Sequence, residues 1–229
     1  MLVNVGKLMS HASTKGGGGV KHPFNPSLVD AWFMSGLSDN NKPSSIRGVK
    51  GNEIVLRNFA FTSESGFGEG AYEGALVFDG VDDYGMCTGL PIMDDFTLIC
   101  KREILNPASP GYVANKGLGN AGAFHFESSI LTSDSNSTTG VWSYGTGNRV
   151  KLEESEVSWM TKNSYNGIEL KTGNLSDVDQ LYLCRFSSSY TKAAIYYFAL
   201  YDKSLTPEEV EEEKVKLENY WEGGKNELA

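Results

Sequence analysis

The sequence is short of several things, and each shortage closes off a class of protein. It has three cysteines, Cys87, Cys100 and Cys184, an odd number set far apart. That spacing suits neither a disulfide framework nor a zinc site. Each lies in a strand-like run and reads as a buried free thiol, in keeping with folding in a reducing compartment. The three histidines, His11, His22 and His125, are too scattered to share a metal. No stretch approaches the roughly 20 apolar residues of a membrane helix, so no membrane partner is expected. "MLVNVGKLMSHAS" lacks a continuous apolar segment and does not read as a secretory leader. Basic residues are outnumbered: 20 Lys and Arg stand against 29 Asp and Glu, for a net charge of −9. Nucleic acid is therefore not an expected partner. There is no Gly-x-Ser-x-Gly elbow, and the four glycines at 16–19 are not followed by the Lys-Ser/Thr of a phosphate loop.

What is present points to strands. There are 26 glycines, 11 tyrosines, 11 phenylalanines and 4 tryptophans, a composition of aromatic runs and tight turns. About a dozen short apolar runs, from "LVDAWFM" (28–34) to "KAAIYYFALYD" (192–202), mostly end in Gly, Asn, Asp or Ser. No crossover helix separates them, so an antiparallel sandwich of two sheets is expected over 28–206. In "FDGVDDYGM", Asp79-Gly80 supplies turn chemistry, and a hairpin is expected there. The exception to the strand pattern is "TPEEVEEEKVKLENYWEGG". Thr206, Pro207 and Glu209 form a capping box with proline in its preferred place. Val210, Leu217 and Trp221 give one apolar stripe, and Gly223 suits the residue after the last turn. A helix is expected at about 207–222, followed by a tail to 229. Trp32 and Trp159 are expected in the core, and Trp221 at the helix's docking face.

Residues 1–27 read as an arm, flexible or ordered by a partner, because "TKGGGGVKHPFNPS" cannot form a core of its own. Residues 1–29 hold no acid and three lysines; residues 201–229 hold nine acids and four bases. A basic arm and an acidic tail could meet across a subunit contact, or both could simply be solvated. A homo-oligomer, or a place in a larger assembly held by the arm, is expected.

Two stretches together resemble a family. "ALVFDGVDDYGMCTGLPIMDDFTLIC" (75–100) is similar to the opening of laminin-G-like domains of the concanavalin A-like superfamily. "LYLCRFSSSYTKAAIYYFALYDKSLTPEEV" (181–210) is similar to their closing signature, through Ile195, Tyr201, Asp202, Leu205, Pro207, Glu208 and Glu209. Between them, "GYVANKG" and "GAFHFES" resemble the family's central hairpin. The resemblance implies an all-β, concanavalin A-like jelly-roll sandwich of two antiparallel sheets, with a short C-terminal α-helix and an extended N-terminal arm. It leaves function open. Members bind glycans or proteins, accompany enzymes or build surface assemblies, in bacteria and in their phages among other settings.

Three chemistries bear on function: catalysis, metal binding and glycan binding. Glycosidases of the superfamily place acids at alternate positions on one strand, with retaining pairs about 5–5.5 Å apart. No Glu-x-Asp-x-Glu pattern exists, and neighbours such as Asp82 and Asp83 point to opposite faces of a strand. A glycoside hydrolase is the third reading, and no enzyme is expected. The family often holds calcium through an early Asp-x-Ser-Gly-Asn-Gly stretch. Here that place reads "RGVKGNE" (47–53), with Gly48 where the aspartate would be. No cofactor is therefore expected; Asp79, Asp82 and Asp83 are the remaining metal candidates, with turn formation as the alternative role. For glycans, Trp142 and Tyr144 alternate on one strand face, followed by Asn148 and Arg149. These four are the candidate ligand-binding residues, against a core role for Trp142. The leading reading is a non-enzymatic structural or adhesive component of a phage virion surface, made in the host cytoplasm, or otherwise of a bacterial cell surface. A carbohydrate-binding module is the second.

Overall fold

A computed structural model describes residues 23–91, 93, 95–105, 112–116, 124–127, 130–133, 148–151, 157–161, 164–165, 168–169, 180–186 and 188–226. The first strands are β1 (Leu28–Phe33), β2 (Ser45–Arg47), β3 (Glu53–Arg57), β4 (Gly66–Phe67), β5 (Leu76–Asp79) and β6 (Tyr84–Cys87). Next come β7 (Thr97–Ile104), β8 (Tyr112–Lys116), β9 (Phe124–Glu127), β10 (Ile130–Ser133), β11 (Asn148–Lys151) and β12 (Val157–Thr161). The last are β13 (Ser164–Tyr165), β14 (Ile168–Glu169), β15 (Leu181–Leu183), β16 (Arg185–Phe186), β17 (Ser189–Tyr190) and β18 (Lys192–Tyr201), before the helix α1 (Pro207–Asn226).

The strands make two main antiparallel sheets. One has eight strands, in the order β14-β13-β12-β7-β18-β5-β4 with β1 also paired to β18. The other has six, in the order β2-β3-β6-β15-β8-β9. Their inner faces meet in one apolar core. Trp32, Phe78, Leu98 and Phe198 from the larger sheet pack with Ile46, Ile54, Leu181 and Leu183 from the smaller. The indole N–H of Trp32 donates to the carbonyl of Asn52 at 3.0 Å, so this buried ring keeps its one donor satisfied. The protein is thus an all-β sandwich, as its period-two runs suggest.

The larger sheet is covered on its other face as well. There Ile99, Tyr197, Ala199 and Tyr201 pack with Val210, Leu217 and Trp221 of α1. This explains why "KAAIYYFALY" is apolar almost throughout: a strand covered on both faces has no solvated side. Each large side chain buried in this way contributes roughly 1.5–3 kcal/mol. Polar groups set the register of the helix. Tyr201 O–H donates to Glu213 at 3.0 Å and Tyr197 O–H to Glu218 at 2.9 Å. The Lys101 ammonium lies 2.8 Å from Glu218 and 4.0 Å from the Trp221 ring centre. Phe24, from the end of the expected arm, is buried against Phe33 and Tyr220. Residues 1–22 of that arm lie outside the described residues.

The capping box forms as expected: Thr206 N–H donates to Glu209 at 2.9 Å and Glu209 N–H to the Thr206 hydroxyl at 3.2 Å. Gly223 does not end the helix, which continues to Asn226. A second expectation also fails. Asp79–Asp83 is not a hairpin turn, because β5 and β6 belong to different sheets. β5 pairs with β4 and β18, and β6 with β3 and β15. The segment is a corner at which the chain crosses the sandwich.

Candidate functional site

The corner is folded by its first aspartate. One carboxylate oxygen of Asp79 accepts the N–H of Val81 at 2.7 Å, of Asp82 at 3.3 Å and of Asp83 at 3.4 Å. Gly80 has φ +77°, and an added Cβ would lie 2.8 Å from the backbone nitrogen of Lys192, so only glycine fits. Asp83 turns inward with no exposed surface, and its Oδ2 accepts the Asp79 N–H at 3.0 Å. Its Oδ1 has no partner. Burial, reinforced by the charges of Asp79 and Asp82, pushes the Asp83 carboxyl up to about 6.

The three metal candidates do come together: one carboxylate oxygen from each lies within 4.8 Å of the others. The donor set argues for a turn nonetheless. The Asp79 oxygen that folds the corner is already committed to three N–H groups. The early stretch that the resemblance marks for calcium is also filled. An added Cβ on Gly48 would lie 2.3 Å from the Asp30 carboxylate. That buried carboxylate accepts N–H groups from Ala31, Lys50, Asn52 and the Asn52 side chain, each at 2.8 Å. Four N–H donors satisfy its oxygens and leave no lone-pair cage of the kind a hard cation takes.

The residue after the corner faces the other way. Along β6, Gly85 and Cys87 are buried while Tyr84 and Met86 lie half-exposed on the outer face of the six-stranded sheet. On β15, Leu181 and Leu183 enter the core and Tyr182 lies between them, so period-two alternation puts Tyr182 on that same outer face. Register places Val55, Met86, Tyr182, Asn115 and His125 in one cross-strand row. In the adjacent row Arg57 stands opposite Tyr84.

A second turn completes the platform. After β15 the chain enters a left-handed conformation at Cys184 (φ 57°), which bends it out of the sheet. The β16–β17 hairpin follows, and Thr191 N–H closes it onto the Cys184 carbonyl at 3.0 Å. The hairpin carries Arg185 and Tyr190 back over the outer face. The Arg185 guanidinium sits 4.4 Å from the centre of the Tyr84 ring and 5.8 Å from that of Tyr190. Tyr84 is 6.3 Å from Tyr190 and 6.5 Å from Tyr182, centre to centre. Tyr84, Tyr190 and the stacked Arg185 therefore form one partly open surface, with buried Tyr182 packed against Tyr84. Tyr84 and Tyr190 each offer an apolar face and a hydroxyl, the pairing that a sugar's C–H face and hydroxyl rim require, while the Tyr182 hydroxyl donates to Gln180 at 2.9 Å.

Neither a protein-family model nor a curated protein sequence matches the chain. Solved structures do. Trypanosoma rangeli sialidase superposes with a TM-score of 0.53 at 14% identity, over 81% of this chain and 32% of that one. The same sialidase as the 2,3-difluorosialic acid covalent intermediate gives 0.54 at 14%, over 84% and 33%. The receptor-binding domain of the botulinum neurotoxin C/D mosaic serotype gives 0.50 at 10%, over 80% and 50%. The likeness is one of fold. The chain spans about a third of the length of the sialidase chains it matches.

The sequence candidates fare unevenly. Trp142 and Tyr144 lie outside the described residues. Asn148 and Arg149 lie on β11, in register with Ser133 and Thr132 of β10, and only their backbone is described. All three cysteines are buried free thiols; burial pushes Cys87 up to about 11 and Cys100 up to about 12, so neither is a thiolate nucleophile. The platform of Tyr84, Tyr182, Arg185 and Tyr190 was missed. The one local signal for it was the Leu-Tyr-Leu alternation at 181–183.

Proposed function

We propose that the protein is a non-catalytic, lectin-like β-sandwich that binds carbohydrate on the outer face of its six-stranded sheet, without a resident metal. The observation that carries this reading is the tyrosine–arginine platform. The other broad face of the sandwich is covered by α1, which leaves this face as the open one among the described residues. Catalysis is not part of the proposal. The single group of three carboxylates brought together among the described residues is the corner, where one is bound by three amides and another is buried.

The reading is tested by affinity electrophoresis of the intact chain across a panel of soluble glycans. Tyr84→Ala and Tyr190→Ala should abolish retention while leaving the melting temperature within about 2 °C, since half-exposed rings contribute little to folding. Trp142→Ala and Tyr144→Ala address the other candidate patch. Loss of retention in that pair, with Tyr84→Ala unchanged, would move the site there. A chelator should leave retention unaltered.

The setting we propose is adhesive: a phage particle surface, or otherwise a bacterial one, with the basic N-terminal segment as the attachment. It is supported by the charge contrast between residues 1–29 and 201–229. Light scattering on the intact chain and on a chain beginning at Lys21, which keeps Phe24, tests it. An oligomer that falls to a monomer on shortening supports the assembly role; two monomers remove it.

A further inference from the structure

We infer that the outward face of α1 receives the N-terminal segment, residues 1–22, of a second copy of this chain. The inference rests on reading that segment as the attachment, and adds the surface it meets and the partner that carries it. It is independent of the glycan reading.

The helix sorts its charges by face. Of its seven glutamates, four are ion-paired: Glu209 with Lys203, Glu211 with Lys214, Glu213 with Lys216 and Glu218 with Lys101. Glu208, Glu212 and Glu222 enter none of the ion pairs among the described residues. All three are exposed. With exposed Val215 and Asn219 they follow a spacing of four, three, four and three, so the five lie on one stripe turned away from the sheet. Val215, near its middle, is 61% exposed and gives the stripe an apolar centre between acids.

Residues 1–22 have the complementary pattern. They hold Lys7, Lys15 and Lys21 and no acid, and "MLVNVGKLM" sets apolar residues around Lys7. Lysines meet the glutamates left without a cation, and an apolar side chain laid on Val215 takes surface out of water. The lengths also suit. A chain of 22 residues spans roughly 25 Å on average, close to the roughly 30 Å of a 20-residue helix.

The anchoring of Phe24 and Asn25 bears on whose helix the segment meets. Phe24 is buried against Phe33 and Tyr220, and Asn25 N–H donates to Glu213 at 3.0 Å. Glu213 and Tyr220 share one flank of α1, roughly 140° round from the middle of the stripe. One way round from that flank is closed by the sheet, where Val210, Leu217 and Trp221 are buried. The other leads past Lys216, a cation of the same sign as the segment, 2.6 Å from Glu213. A segment that crosses to a neighbouring molecule avoids that cation. In a two-fold pair each copy's segment lies on the other's α1, so every contact is made twice.

The test is light scattering on the intact protein and on two charge-reversed variants. One carries Lys7→Glu, Lys15→Glu and Lys21→Glu; the other carries Glu212→Lys and Glu222→Lys. Wild type is expected to dimerise, and to dissociate as added salt shortens the screening length. Each variant alone should dissociate about tenfold more readily or worse, with the melting temperature of the helix variant within about 2 °C of wild type because its changed residues are exposed. An equimolar mixture of the two should regain the dimer, since each acidic segment then faces a basic stripe and each basic segment an acidic one. A dimer that survives Glu212→Lys and Glu222→Lys overturns the inference and leaves the assembly reading standing. Variants that are monomeric alone and stay monomeric when mixed also overturn it, because segment and stripe then do not meet between copies. A wild-type chain that is monomeric at every concentration overturns both.

Discussion

Replacing Asp83 by asparagine should stabilise the protein at neutral pH, with a gain that fades as the solution is acidified. Asp83 has no exposed surface, and one of its oxygens has no partner. Its carboxyl is pushed from 3.8 to about 6, chiefly by burial. A carboxyl whose folded pKa lies above its unfolded one is favoured by the fold in its protonated form. The stability it contributes is therefore whole below the unfolded pKa and lost as pH rises through the folded one. The shift is 6 − 3.8 = 2.2, and at 1.36 kcal/mol per unit the charged form costs at most about 3 kcal/mol at pH 7.5. Asparagine keeps a carbonyl to accept the Asp79 N–H and carries no charge. A gain of about 2 kcal/mol is expected, or roughly 4–8 °C in Tm for a domain of this size. At pH 4 most of the gain should be gone, because the wild-type carboxyl is then already protonated in the folded state. Thermal melts of both proteins at pH 4, 5.5 and 7.5 read this directly. A variant that melts below wild type at pH 7.5 would refute the reasoning, since it would mean that the charge at Asp83 is used. Melts with and without calcium would then show whether a cation uses it.

Two further substitutions probe other contacts. Gly48→Ala should cost about 2–4 kcal/mol in urea unfolding, because its Cβ would displace the Asp30 carboxylate from four buried donors; a midpoint within error of wild type would show that this carboxylate can move at no cost. Thr206→Ala removes the acceptor for the Glu209 N–H and should cost about 1 kcal/mol, read as a Tm drop of about 2–4 °C; no change would mean that tertiary contacts alone hold the helix start.

What the sequence disclosed was local. The capping box at Thr206 and Glu209 is made by residues three apart, and the stripe of Val210, Leu217 and Trp221 is set by helical period. Both were legible. The Asp79–Asp83 corner was not, because a tight turn has the same chemistry whether its strands pair or part. What decides is that β5 joins the other sheet, where one of its edges pairs with residues 192–195, more than a hundred positions away. Gly223 misled in the same way: a glycine near a helix end is a permitted stop, not an obligatory one. The platform was hidden for two reasons. Tyr84 and Tyr182 lie on strands far apart in sequence, and Arg185 reaches Tyr84 through a left-handed cysteine, a conformation that no residue type at that position announces. Gly48 read as a missing calcium ligand; in space it is the room that Asp30 needs.

The strand β18 carries a consequence in time. It lies inside the eight-stranded sheet, with β7 along one edge and β5 and then β1 along the other. Strands made early in synthesis, including β1 and β5, thus wait for residues 192–201 before their edges are closed. Until the ribosome has passed Tyr201, those edges are open templates for pairing with a neighbouring nascent chain. Acquisition of the native sheet is late and governed by contacts of long sequence separation, which makes folding slow. A lesion that halts synthesis ahead of β18 would yield a chain with unclosed strand edges, prone to aggregate, and not a smaller working sandwich.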